Sequence, residues 1–388
     1  MTAVEPAGPA ELARAAAARA IDGVDPEHPP CCLRRADRAA LLGMAWTLRQ
    51  AGLFRDGAAH DEAEIAVATR AADRHRWILR RWLAVLCAEG MLSREAGRYT
   101  GLYRVGRAEL RAAVHDLAEA HRGLGYPRPL SVFFQRAIGH LPELLRDEVP
   151  VQALLFADGA TGTADGAYRD NLVNRYVNAA TAEVARWASR ELAAPGPLRV
   201  LEVGAGVGGT TTGVLAAVGA TPLDYVFTDV SRYFLTEGRE RFAATPGVRF
   251  ALFDINADPM TQTAAEPGSR HLVIAANVLH NAHDLRGCLR GMHDLLAPGG
   301  YLLCIDTVRE LYQILTSMQF LMSARPGTPR PGAADLRAGT DRIFLSRTEW
   351  ESEMRAAGLR PDFTVPAADH PLDAIGVTLF AARRPVAA

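Results

Sequence analysis

The chain has 388 residues, a length suited to two domains rather than one. It is 49% hydrophobic and 22% charged with a formal net charge of −1, an ordinary globular balance that gives no reason to expect a nucleic-acid or membrane partner. No apolar run reaches the roughly 20 residues of a membrane span and no basic-then-apolar leader opens the chain, so a cytoplasmic location is expected.

Residues 1–30 are rich in Ala and Pro and read as a loosely attached leader with a helical stretch near 10–21. Cys31 and Cys32 follow. Like Cys87, Cys288 and Cys304 they lack CxxC spacing and read as free thiols, with no metal expected. The runs "RAALLGMAWTLRQAGLF" and "HRWILRRWLAVLCAEG" predict amphipathic helices, the second with Ile78, Trp82, Val85 and Leu86 on one face and Gly90 as its stop. "MLSREAGRYTGLYRVG" predicts two short strands, and further helices are expected over about 107–122 and 130–146. Residues 1–150 therefore form a mainly helical, winged-helix-like lobe, a place for dimerisation or for a lid over substrate. Arg is interleaved there with Asp and Glu, and no basic stripe marks a DNA-reading face.

From Leu198 onward strands alternate with helices. "LRVLEVGAG", "DYVFTDVS", "VRFALFDI", "RHLVIAANVLH" and "GYLLCIDT" are apolar runs that each enter a polar or glycine-bearing turn, with helices over 209–218, 231–244 and 284–296 between them. A helix and a final antiparallel strand close the pattern. Residues 151–388 are thus an α/β unit with a Rossmann-like, doubly wound, mostly parallel sheet, which presents its chemistry at the carboxyl ends of the strands.

Those ends carry the candidate site. In "LEVGAGVGG" the residues Gly204, Ala205, Gly206, Gly208 and Gly209 let backbone approach a ligand at a helix N-terminus, a pattern that also fits a nicotinamide dinucleotide or a plain tight turn. Glu202 before the loop suits the cationic methionine portion of S-adenosyl-L-methionine (SAM). Asp229, followed by Val230, suits a pair of ribose hydroxyls. Asp254, followed by Ile255, suits an adenine amino group or a turn cap. Asn277 closes the fourth strand, and Tyr168 and Tyr176 stand on an entry helix where an aromatic face near a sulfonium contributes about 0.5–2 kcal/mol. His280 is placed to remove a proton near pH 7 and Asp306 to orient it, although a histidine after an apolar strand also fits a hydrogen-bonded core residue. The chain has no lysine, so phosphate gripping or Schiff-base chemistry by an internal amine is excluded.

Taken together, "YRDN", "EVGAGVGGTT", "YVFTDVSRYFL", "RERFAATPGVRF", "DINADP", "AANVLH" and "LLAPGG" resemble the class I SAM-dependent methyltransferases, and more narrowly the methyltransferase domains embedded in polyketide and mixed peptide–polyketide synthases. The resemblance covers about residues 155–385; the N-terminal lobe is only loosely similar, and the chain is expected to stand alone, unlike those embedded domains. It implies a seven-stranded class I sheet, SAM as cofactor, and C-methylation of an activated acyl chain, free or carrier-bound, in natural-product biosynthesis. It also implies a His–carboxylate pair at His280 and Asp306, where the family carries the longer Glu at the second position. Three other readings stay open. They are O- or N-methylation, cyclisation of SAM's own amino-acid chain to a small cyclic amino acid with release of methylthioadenosine, and a winged-helix regulator that senses SAM or NAD.

Overall fold

The structure is a computed structural model that describes residues 7–155, 171–193, 195–262, 266–324 and 327–386. In chain order the N-terminal part has α1 (Pro9–Ala20), α2 (His28–Gln50), α3 (Glu62–Thr69), α4 (Arg76–Ala88), the hairpin β1 (Ser93–Glu95) and β2 (Arg98–Thr100), then α5 (Arg107–Gly123), α6 (Arg128–Gly139), α7 (Leu141–Leu145) and α8 (Val151–Leu155). The helix expected over 130–146 is two helices. The break falls at Gly139–His140, ahead of Pro142, whose missing N–H is harmless only in a first turn.

After α9 (Leu172–Glu191) comes the alternating part: β3 (Leu198–Val203), α10 (Gly209–Val218), β4 (Leu223–Asp229), α11 (Arg232–Phe242), β5 (Val248–Leu252), β6 (Arg270–Ala276), α12 (Leu285–Leu295), β7 (Leu296–Thr307), α13 (Tyr312–Leu315), α14 (Arg347–Ala356), β8 (Arg360–Val365) and β9 (Val377–Arg383). The seven-stranded sheet has the order β5-β4-β3-β6-β7-β9-β8, and only β9 runs against its neighbours. Strand order reverses between β3 and β6, and a crevice opens at the carboxyl ends on such a switch point.

The central strands β3, β6 and β7 are largely apolar because both of their faces are covered. Val200, Tyr225, Phe227, Ile274 and Ile305 pack on the side of α9 and α10. Leu201, Val226, Val273, Leu302 and Cys304 pack on the side of α12 and α14, the period-2 alternation of a pleated strand. The strand β8 was not legible in sequence: Pro361 and Asp362 break its apolar pattern, and as an edge strand it tolerates both.

Core membership does not follow chain order. Ala13 and Ala17 of α1 belong to the sheet layer with Val184 and Ala188 of α9. The lobe core around Leu42, Trp77, Trp82 and Phe133 takes in Leu315, Met318, Phe320, Ile343 and Phe344 from beyond β7. Among the described residues no helix is long and apolar enough to cross a membrane.

Candidate functional site

At the β3/β6 switch lies a cavity of about 570 Å³. Gly204, Ala205, Gly206 and Gly209 of the loop form one wall, and Asp229, Val230, Asp254 and Ile255 from the ends of β4 and β5 form another. Ala276, Asn277, Val278 and Asn281 after β6 form the floor, and Leu155 and Leu321 close the lobe side. The parallel registers Val203↔Ala275, Asp229↔Leu252 and Ala276↔Ile305 bring these ends to one edge. A larger crevice of about 870 Å³ lies in the lobe among Trp46, Arg70, Arg107 and Arg146; it contains none of the strand-end groups and lacks their chemistry.

Asp229 ties the wall together. One carboxylate oxygen accepts the Gly206 N–H at 3.0 Å and the other the Ser231 N–H at 2.8 Å. Burial raises its pKa, against which these backbone donors work. Gly206 has φ +54°, and a Cβ there would face open cavity. Gly208 is different. It does not line the cavity, and its missing Cβ makes room for the Phe242 ring, which an added Cβ would meet at 2.5 Å. Asp254, exposed on the rim, accepts the Asn256 N–H at 2.9 Å, so the turn-cap reading and the cavity position both hold. Asn277 adopts φ +54°, a left-handed position that Asn tolerates, and donates its N–H to the Ile305 carbonyl at 2.7 Å.

Two sequence expectations are corrected. Glu202 does not reach into the cavity: it is 1% exposed, and one carboxylate oxygen accepts from Thr211 Oγ1 at 2.5 Å and from the Tyr225 hydroxyl at 2.6 Å beneath the loop. Burial pushes its pKa up to about 7. Tyr176 faces away, tilted against His370 with ring centroids 5.8 Å apart among the α1–α9 core residues; two residues on, Asn178 is the group that turns toward the loop, accepting from Thr210 Oγ1. Tyr168 lies outside the described residues.

His280 and Asp306 do meet. Nδ1 of His280 is 2.8 Å from Oδ1 of Asp306, and both residues are at least 95% buried. An ionised Asp306 requires the Nδ1–H tautomer, which leaves the Nε2 lone pair as the basic one. Phe344 packs edge-on against the ring at 5.2 Å, and Phe344 also lines a pocket of about 190 Å³ with Arg81, Arg309, Glu310 and Arg342. From behind, the buried guanidinium of Arg337 donates to the carbonyls of His280, Ala282 and Ile343 and is paired with Asp335. His280 is not itself on the cavity wall; Asn281 is, and Asn281 Nδ2 stands 3.2 Å from His280 Nε2. Asn281 carried no site assignment from sequence; the cap of α12 is Asp284, which accepts the Gly287 N–H. In the run "MQFLM", Met318 and Phe320 are lobe core and only Leu321 faces the cavity.

Residues 201–302 match the family described as a methyltransferase domain. A pyochelin synthetase, PchF, of Pseudomonas aeruginosa is 30% identical over 375 residues, 95% of this chain and 20% of that protein. The non-reducing polyketide synthase pks11 of Talaromyces marneffei is 32% identical over 222 residues, 56% of this chain and 8% of that one. The chain therefore spans a fifth or less of the length of these relatives. Among solved structures, the CurJ carbon methyltransferase aligns with a TM-score of 0.84 at 21% identity over 97% of this chain and 99% of that one, and the DszA carbon methyltransferase with 0.79 at 24% over 96% and 94%.

Proposed function

From a chain that carries a class I, SAM-dependent methyltransferase domain, we propose an enzyme of polyketide or mixed peptide–polyketide biosynthesis that methylates carbon next to a carbonyl, with His280 as base and Asp306 as its orienter. The observation that carries this reading is the buried 2.8 Å His280–Asp306 pair placed directly behind the cavity floor. The cavity suits the cofactor. Asp229 stands where ribose hydroxyls are held, Asp254 and Ile255 edge an adenine position, and Asn277 faces the methionine end, while the loop Gly204–Gly206 permits close backbone approach. When bound, SAM supplies an already activated sulfonium methyl.

The protein's share is positioning and proton removal. Asp306 fixes the ring with Nε2 unprotonated and stabilises the imidazolium that forms when Nε2 takes a proton.

Incubation with SAM and a panel of β-keto, α-keto and aromatic acids and their thioesters, read by mass spectrometry, tests this. A methylated acceptor with adenosylhomocysteine is expected; methylthioadenosine formed from SAM alone replaces transfer with cyclisation.

A further inference from the structure

We propose that Asn281 is the residue that receives the acceptor's carbonyl oxygen and, in doing so, uncovers the base; the inference rests on the carbon-methylation reading of the site. Among the described residues, Asn281 is the one cavity-lining group hydrogen-bonded to His280 Nε2, at 3.2 Å. The orientation of its amide follows from the pair behind it. With Nδ1–H given to Asp306, Nε2 is an acceptor, so the NH₂ end of Asn281 faces it; the carbonyl end would set two lone pairs against each other.

An amide NH₂ has two hydrogens. One serves Nε2, and the other is free to serve an acceptor oxygen in the cavity that Asn281 lines. No helix competes for the side chain, because Asp284 caps α12. In the resting state the base is thus capped by a neutral donor. An acceptor whose carbonyl oxygen takes the amide N–H draws Asn281 off Nε2 and sets its adjacent C–H toward the ring. The proton then passes to Nε2, and the electron pair it leaves spreads onto the carbonyl oxygen, where the amide N–H stabilises the growing negative charge. A donor placed where charge develops acts mainly on the transition state. The chemistry selects acceptors with an acidic C–H next to a carbonyl and disfavours those without an oxygen at that place.

The test uses the N-acetylcysteamine thioester of 3-oxobutanoate with SAM, comparing wild type with Asn281→Ala, Asn281→Asp and His280→Ala. Asn281→Ala should lower kcat and kcat/KM together by about 10- to 100-fold, with SAM affinity, by calorimetry, within about twofold of wild type. Asn281→Asp, which accepts but does not donate, should be at least as slow. In ¹⁵N-histidine spectra the Nε2 resonance of His280 should move on Asn281→Ala while Nδ1, held by Asp306, keeps its shift, a pattern that a displaced loop, which would disturb both nitrogens, does not produce. Wild-type turnover by Asn281→Ala, with His280→Ala inactive, overturns this inference and leaves the base reading standing. A wild-type protein that binds SAM and leaves the thioester unmethylated, or an active His280→Ala, removes the base reading and this inference with it.

Discussion

Asp306 holds His280 twice: Oδ1 engages the ring Nδ1 at 2.8 Å, and Oδ2 accepts the backbone N–H of the same residue at 3.2 Å. A carboxylate one methylene shorter than the Glu that the resemblance implies still reaches, because the single helical turn Leu279–Asn281 carries His280 onto the end of β7. The Thr307 N–H, at 2.7 Å from Oδ1, fixes the acid in turn. Orientation here is built from backbone as much as from side chain.

Replacing Asp306 by Asn should therefore be severe for turnover. Asn presents the ring with an amide that supports the wrong tautomer, and the expected loss in kcat is about 10²- to 10⁴-fold. SAM affinity should stay within a few-fold, since Asp306 does not line the cavity. Single-turnover methyl transfer beside calorimetric SAM titration separates the two, and an unimpaired kcat removes the orienting role.

Asp229→Ala releases both the Gly206 and Ser231 N–H groups and withdraws the carboxylate from the cavity wall. Affinity for adenosylhomocysteine should fall by about 10- to 100-fold, the worth of one or two charge-assisted hydrogen bonds at 1.4 kcal/mol per decade. Binding within threefold of wild type counts against the assignment of this wall to the nucleoside.

Glu202 makes stability fall as pH rises. Its folded pKa, about 7 against an ordinary 4.5, means that the native state keeps its proton to higher pH than the unfolded chain. The contribution is complete below about pH 4.5 and is lost as pH climbs through 7, with an upper size of about 3 kcal/mol. Glu202→Gln keeps an acceptor for Thr211 and Tyr225 without the titration. Urea unfolding at pH 5 and pH 8 should show a wider difference in wild type than in the variant; equal differences refute the argument.

Arg337 and Asp335 form a buried pair that spends the guanidinium on three backbone carbonyls. Arg337→Met strands Asp335 and those carbonyls, and a loss of about 3–5 kcal/mol in unfolding free energy is expected. Loss below about 1 kcal/mol would mean that the loop around 331–345 is held by other contacts.

Much of the site was readable because a parallel sheet puts its chemistry at predictable ends. Asp229, Asp254 and Asn277 each close an apolar run, and each lies on the cavity. What was not readable depends on partners distant in sequence. Glu202 looked free until Tyr225, on the neighbouring strand, and Thr211, one helical turn into α10, took its oxygen. Tyr176 was placed by rotation about α9, which short motifs do not encode, and its partner His370 lies near the other end of the chain. Asn281 follows His280 in a polar run whose spacing fits the start of a helix; that Asp284 is the cap, and that the Asn281 amide lies against His280 Nε2, only the three-dimensional contacts show.

The excursion that leaves β7 just after Asp306 has a practical consequence for recombination. Arg309 and the Tyr312 N–H bind Asp37, Glu310 pairs with Arg81, and Leu315, Phe320 and Phe344 are lobe core, with Phe344 back against the His280 ring. A crossover placed near residue 150 severs these ties, exposes the apolar side of residues 315–344 and leaves Asp37 facing a foreign surface. Hybrids that exchange α2–α8 and leave α1 packed on α9 should be recovered as folded protein only when residues 308–323 move with them, with Arg337 left on the His280 loop.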